Sequence, residues 1–226
     1  MRKPAVVLGV LLLVVGLVSG CGGPEKPTES PAQRLAAAQK FLEKTDGVKI
    51  ALSTPQLPPG VQGVLKAAGV GTKQPAFKGE ISVVQNGLSV NVPVRAVGGD
   101  VYIQFGGSWR KIDPADFGAP DPADLFKVDG GLASLLSDVE GAKAGKDTRD
   151  GKRILSTITG KIPGNRVAEV IPSASADSPF DATFTLDDTD HLTKVVLTGP
   201  FYPKADDVTY TIAFDDYGSS TTVTAP

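Results

Sequence analysis

FKGEISVVQNGLSVNVPVRAVGGDVYIQFGGSWRKI, residues 77–112, is the stretch that decides the fold. Ile81 and Val83 alternate with polar neighbours before Asn86-Gly87, and Leu88, Val90, Val92 and Val94 alternate after it. A period of two marks a half-buried strand, and Asn-Gly suits the tight turn whose twist matches a hairpin. Gly98-Gly99-Asp100 then turns the chain into Val101, Ile103 and Phe105, and Gly106-Gly107 turns it again into Trp109 to Ile112. The segment reads as an antiparallel meander. Pro93 lacks an N–H and so favours an edge or a bulge at its position.

The same reading extends outward. Val208, Tyr210, Ile212 and Phe214 form the cleanest alternating strand. Val48 to Ser53, Phe180 to Leu186, Leu192 to Leu197 and Ser220 to Thr224 read as further strands, and Lys143 to Lys161 as a polar hairpin turning at Asp150-Gly151. Four short helices are expected. One starts at Ser30-Pro31, an N-cap followed by proline at the first helical position, and presents Leu35, Ala38, Phe41 and Leu42. A second lies around Val61, Val64, Leu65 and Ala68, inside an irregular segment from Thr54 to Gln74. A third follows Asp129 with Leu132, Leu135, Leu136 and Val139 at helical spacing. The fourth runs from Pro163 to Ile171. Roughly nine or ten strands with these helices imply an α+β domain, its helices gathered on the apolar face of one strongly curved antiparallel sheet.

Composition narrows the chemistry. The 226 residues carry 23 Lys and Arg against 25 Asp and Glu, so no basic surplus points to nucleic acid. One Cys and one His exclude an internal disulfide and a zinc-ligand cluster. No nucleophile elbow, phosphate loop or dinucleotide fingerprint occurs, so no catalytic residue, cofactor or metal is expected. His191 sits in Asp187-Asp188-Thr189-Asp190-His191 and reads as a solvated turn histidine. The repeated Asp-Pro-Ala-Asp at 113–116 and 121–124 reads as two capped turns, since prolines break the geometry of a calcium loop. Tyr102 and Trp109 are better core or rim aromatics than sugar-stacking ones.

The N-terminus differs from the rest. Arg2 and Lys3 precede an uncharged apolar run from Pro4 to Val18, too short for a transmembrane helix and right for a secretory signal. Val18-Ser19-Gly20-Cys21 matches a bacterial lipobox, in which the cysteine thiol takes a diacylglyceryl group and becomes the new N-terminus. Residues 1–20 are then a signal peptide, 21–30 a lipidated tether and 31–226 the folded domain. Loss of Arg2 and Lys3 takes the formal charge from −2 to −4. Nine Gly- and Pro-rich residues after Cys21 reach only ~15–18 Å r.m.s.. Two or three acyl chains such as palmitate would hold the domain on the extracytoplasmic side of the cytoplasmic membrane.

Phe77-Lys-Gly79-Glu-Ile81, Gly99-Asp-Val-Tyr102, Ser108-Trp109, Gly131-Leu132-Ala-Ser-Leu135-Leu136, Gly141-Ala-Lys-Ala, Gly151-Lys152 and Ile158-Thr-Gly160-Lys161, followed by the strands from Ala182 to Thr224, resemble the mycobacterial LppX/LprA/LprF/LprG lipoproteins in order and spacing. The resemblance implies a half-open β-barrel like that of the lipoprotein carriers LolA and LolB, with helices lining a large hydrophobic cavity. It implies an acylated lipid or glycolipid as ligand, movement across an actinobacterial envelope, and for one member a membrane efflux transporter as partner. It implies no catalytic residues.

The residues expected to face such a cavity are Val61, Leu65, Phe77, Val90, Val92, Ile103, Phe105, Leu132, Leu135, Leu136, Val139, Val170, Phe184, Tyr210, Ile212 and Phe214. A structural or signalling lipoprotein with a solidly packed core is the alternative, and a filled interior would favour it. An envelope hydrolase would require His191 buried in a cleft.

Overall fold

The computed structural model describes residues 29–85 and 87–226. The signal segment, Cys21, the tether up to residue 28 and Asn86 lie outside the described residues. In chain order the elements are α1 (Pro31–Lys44), β1 (Gly47–Ser53), β2 (Gly63–Thr72), β3 (Ala76–Gln85), β4 (Leu88–Val97), β5 (Asp100–Phe105) and β6 (Ser108–Ile112). Three 3₁₀ turns follow, Pro114–Phe117, Asp124–Phe126 and Leu132–Leu136. Then come β7 (Glu140–Ala144), β8 (Thr148–Asp150), β9 (Arg153–Ile162), α2 (Gly164–Val170), β10 (Phe180–Leu186), β11 (Leu192–Gly199) and β12 (Val208–Asp215).

The strands form one antiparallel sheet in the order β6-β5-β4-β3-β2-β1-β12-β11-β10-β9-β7, with β8 paired to β9. The sheet is curved and does not close. Two meanders therefore run away from a shared seam, where β1 pairs with β12 from Lys49 opposite Asp215 to Ser53 opposite Thr211. The meander of residues 77–112 lies as its alternation requires, and Gly98, Gly99, Gly106 and Gly107 all take positive φ at its two-residue turns. β5 pairs with β4 only from Val94 to Val97, so Pro93 is the first residue of β4 past the end of that pairing. Its missing N–H is harmless there.

α1 begins as its sequence prescribes: Gln33 N–H donates to Ser30 Oγ at 3.3 Å, and Ser30 N–H donates to Gln33 Oε1 at 2.8 Å. Leu35 and Ala38 face the core, and α1 packs on the 132–136 turn and on β7. α2 buries Val167 and Val170.

Three expectations are corrected. Val61, Val64, Leu65 and Ala68 have helical spacing, yet residues 63–72 are strand β2, because β1 and β3 offer open hydrogen-bonding edges on both sides. The helix after Asp129 is a five-residue 3₁₀ turn whose apolar residues are nevertheless buried. Residues 220–224 form no strand: β12 is already paired with β1 and β11, and the tail instead reaches across to β4, where Thr224 O lies 3.5 Å from Arg95 Nη1.

Glycines in β2 set where the connection between β6 and β7 can lie. The Phe126 ring rests on Gly71, where an added Cβ would overlap it, and stacks near Phe77 with ring centroids 6.3 Å apart. Gly71→Val should therefore push Phe126 off the sheet and cost about 1–3 kcal/mol, read as a lower denaturant midpoint.

Candidate functional site

The two halves of the sheet are covered differently. α1, α2 and the 132–136 turn fill the face of the β9–β12 half with buried Leu135, Leu136, Val167, Val170 and Ile162. Over β2–β6 the segment 113–126 lies across the apolar face, and the space beneath it, lined also by Leu132, Ile171 and Phe201, is a cavity. About 170 Å³ of it admits the centre of a water molecule, and the empty volume with the open mouth included is about 1430 Å³. The wall is formed by Ile50 and Leu52 on β1, Val64 and Ala67 on β2, Phe77, Ile81 and Val83 on β3, Val92 and Val94 on β4, Val101 and Ile103 on β5, Ile112 on β6, and Tyr210 and Ile212 on β12. Among the described residues no Asp, Glu, Lys, Arg or His lines it, and its polar side chains are Gln62, Gln85, Ser173, Tyr202 and Tyr210.

Val, Ile, Ala and Gly dominate the wall, and such short side chains leave the space unfilled. The floor is closed by Phe77, Val94 and Val101, whereas Gln62 and Gln85 are exposed at the other end of the strands, which marks the mouth. The covering strap starts at Ile112 near the floor. Its tip brings Gly118 towards Ser173, and it returns to the floor at Phe126. Asp113 and Asp121 stiffen its two bends, accepting from Ala115 N–H at 2.9 Å and Ala123 N–H at 2.8 Å. Both carboxylates of the repeated tetrapeptide are thus turn caps, as the sequence suggested. Burial nevertheless pushes the Asp121 carboxyl above its usual range.

The two tyrosines at the mouth hold β2 against the β11–β12 loop. Tyr210 Oη donates to Val64 O at 2.6 Å, and a carbonyl can only accept, so the 2.8 Å contact between the phenols is a bond from Tyr202 to Tyr210. Gly63 leaves the space that the Tyr202 hydroxyl occupies. Burial raises both phenols well above their ordinary range, and they stay neutral.

Six of the expected residues lie on the cavity wall: Phe77, Val92, Ile103, Leu132, Tyr210 and Ile212. The other ten do not. Leu135, Leu136, Val170, Phe184 and Phe214 are buried in the packed half, and Val139 is half-buried beside it, against Gly160. Val61 precedes β2 in a loop, and Leu65 sits where the pairing of β2 with β3 shifts register. Val90 is half-buried, and Phe105 is 54% exposed at the end of β5. Periodicity identifies the apolar face but not what covers it. Residues missed by that reading include Ile50 and Leu52, on a strand whose alternation pointed to them, and Ala67, on the strand whose spacing looked helical.

The remaining sequence candidates are elsewhere. His191 is half-buried at its turn: its ring stacks on Phe41 at 3.6 Å between centroids, with Nδ1 3.6 Å from Asp187 Oδ2, at the end of the sheet away from the mouth. Trp109 lies under the Arg95 guanidinium at 4.6 Å, and Tyr102 donates to Asp100, both on the face opposite the cavity. Among the described residues no three His, Cys, Asp or Glu side chains gather where they could hold a metal ion.

Residues 30–223 match the model of the LppX_LprAFG lipoprotein family. The chain belongs to that family. A lipoarabinomannan carrier protein, LprG of Mycobacterium tuberculosis, is 28% identical over 198 residues, covering 82% of this chain and 80% of that protein. Two solved members share the open sheet of the LppX_LprAFG fold at 16% identity each. They are LprF from Mycobacterium bovis, with a TM-score of 0.71 over 87% of this chain and 96% of that one, and LppX from M. tuberculosis, with 0.62 over 86% and 98%.

Tyr217 is half-buried, donating to Leu192 O at 2.6 Å, and the burial of its phenol raises that group too. The unfolded chain releases phenolic protons near pH ~10, whereas the folded chain keeps these three. Their contribution to stability is complete below that pH and is lost as pH rises above it. Denaturant midpoints should therefore fall between about pH 9 and 11, and Tyr217→Phe should flatten the decline.

Proposed function

We propose that this protein binds acylated lipids or glycolipids in the cavity under the 113–126 strap and carries them from the cytoplasmic membrane toward the outer envelope. The observation that carries the reading is a cavity walled by aliphatic side chains without a single charge. Burying one sixteen-carbon chain from water is worth ~12 kcal/mol at ~0.8 per CH₂. Two chains would exceed the ~18–21 kcal/mol ceiling on measured affinities, so the working reference state is a bilayer. Relative to a bilayer the apolar contribution nearly cancels, and the cavity has only to imitate lipid. Cargo can then leave again. The carrier name of LprG supports the same reading.

The anchor belongs to this proposal. Cys21, acylated after removal of residues 1–20, would hold the domain on the extracytoplasmic face, and a membrane efflux transporter as supplier of cargo rests on the family resemblance alone. Cys21→Ala should abolish the acyl mass increment of the mature protein and release the domain from membranes, read by mass spectrometry and fractionation. A packed structural lipoprotein is disfavoured by the unfilled space over β2–β6.

Lipid extraction from the protein purified out of an actinobacterial host should yield acylated lipid in stoichiometric amount. Ala67→Trp fills the cavity from β2 and should cut bound lipid by about tenfold or more while the thermal midpoint holds. Absence of lipid from the unsubstituted protein would defeat the carrier reading.

A further inference from the structure

In the β1–β6 half the two ends of the sheet differ in charge. At the mouth the register pairs Ser53 with Lys66, Gly63 with Val84 and Gln85 with Leu88. Segments 51–63, 81–94 and 101–109, which run to that end, contain no Asp, Glu, Lys or Arg, and the charges beside them are Lys66 on β2 and Asp116 on the strap. At the floor end stand Asp46, Lys49, Lys73, Asp100 and Lys111.

The apolar face also continues out of the cavity. Along β4 the side chains on the cavity face pass from Ala96 and Val94, 0% and 2% exposed, to Leu88 at 70%; along β5 they pass from Val101 at 4% to Phe105 at 54%. Phe117, on the strap and lining the cavity, is 38% exposed. An uncovered apolar strip thus leads from solvent into the cavity without interruption.

We propose that Leu88, Phe105 and Phe117 form the surface by which this protein docks on a lipid bilayer. The inference rests on the carrier reading and names the surface through which cargo passes. A tether of eight residues has too little reach to cover the strip: Arg34 of α1, which it joins, holds Asp190 at 2.6 Å, at the opposite end of strands ten residues long. Such strands span ~33 Å, and the eight residues from 21 to 28 reach only ~14–17 Å r.m.s.. A protein partner would be oriented by charge, and the strand ends that carry Leu88 and Phe105, residues 81–94 and 101–109, have none. A bilayer favours that composition, because no charged group of those strand ends has to be dehydrated on contact. An acyl chain sliding along the strip would never cross water, which costs ~0.8 kcal/mol per exposed CH₂. Anchored at Cys21, the domain meets its own bilayer lying on its side, or a second bilayer standing upright.

The test uses the processed lipoprotein seated in phosphatidylcholine vesicles, with Leu88→Cys as its only free thiol carrying an environment-sensitive fluorophore. Acceptor phosphatidylcholine vesicles containing nitroxide lipid should quench this label and spare one placed by Asp188→Cys at the far end. The quenching should survive about 1 M salt, where charges are screened beyond ~3 Å. The pair Leu88→Ser and Phe105→Ser should slow lipid transfer between vesicles by about tenfold or more while bound lipid per protein is unchanged. No quenching, quenching of the far label alone, or quenching abolished by salt overturns the docking surface. Burial of the Leu88→Cys label before acceptors are added, through pairing of copies, also overturns it. Absence of bound lipid in the unsubstituted protein would instead defeat the carrier reading, and the quenching result would still decide the docking.

Discussion

The pairing of β1 with β12 is the contact on which the rest depends. It joins residues more than a hundred and fifty positions apart, from Lys49 opposite Asp215 to Ser53 opposite Thr211. Without this seam the two meanders would be separate sheets, each with a long open edge inviting aggregation. With it they share one curved surface, and Leu52 and Ile212 pair across the seam on the same wall. Closing so long a loop before any contact rewards it is slow, so the seam belongs to late folding.

From the shared surface follows the division of labour between its halves. α1, α2 and the 132–136 turn pack the β9–β12 side to the density of an ordinary core. On the β2–β6 side the cover is a strap whose bends are fixed by Asp113 and Asp121 and whose return is seated by Phe126 on Gly71. One side supplies stability and lets the other remain unfilled. Voids lined by aliphatic groups forfeit dispersion contacts, and the packed half is what offsets that loss.

Among the described residues no buried side-chain nitrogen or oxygen is left without a hydrogen bond. Tyr202 donates to Tyr210, and Tyr210 to Val64 O, so two phenols at an apolar mouth consume each other's hydrogen-bonding capacity and tie β2 to the β11–β12 loop. Ion pairs such as Arg34 with Asp190 and Arg166 with Asp138 lie away from the cavity. The ion pairs thus stay off the cavity wall, as a site that must resemble lipid requires.

How much of this was legible varies by element. The meander of residues 77–112, the strands of the C-terminal half and the capped start of α1 were readable because alternation, Gly turns and the Ser30-Pro31 cap are local signals. The 63–72 strand was not, because Val61, Val64, Leu65 and Ala68 happen to fall at helical spacing and only the flanking edges of β1 and β3 decide the matter. Phe214, Phe184 and Leu136 have the same inward-facing character as Ile212, Val92 and Leu132, yet they belong to the packed half. By itself the sequence determined which face of each strand is apolar, since side-chain direction alternates with backbone geometry alone. Only the tertiary structure decided which part of that face is packed and which is left open, because that depends on where distant helices and a strap come to lie.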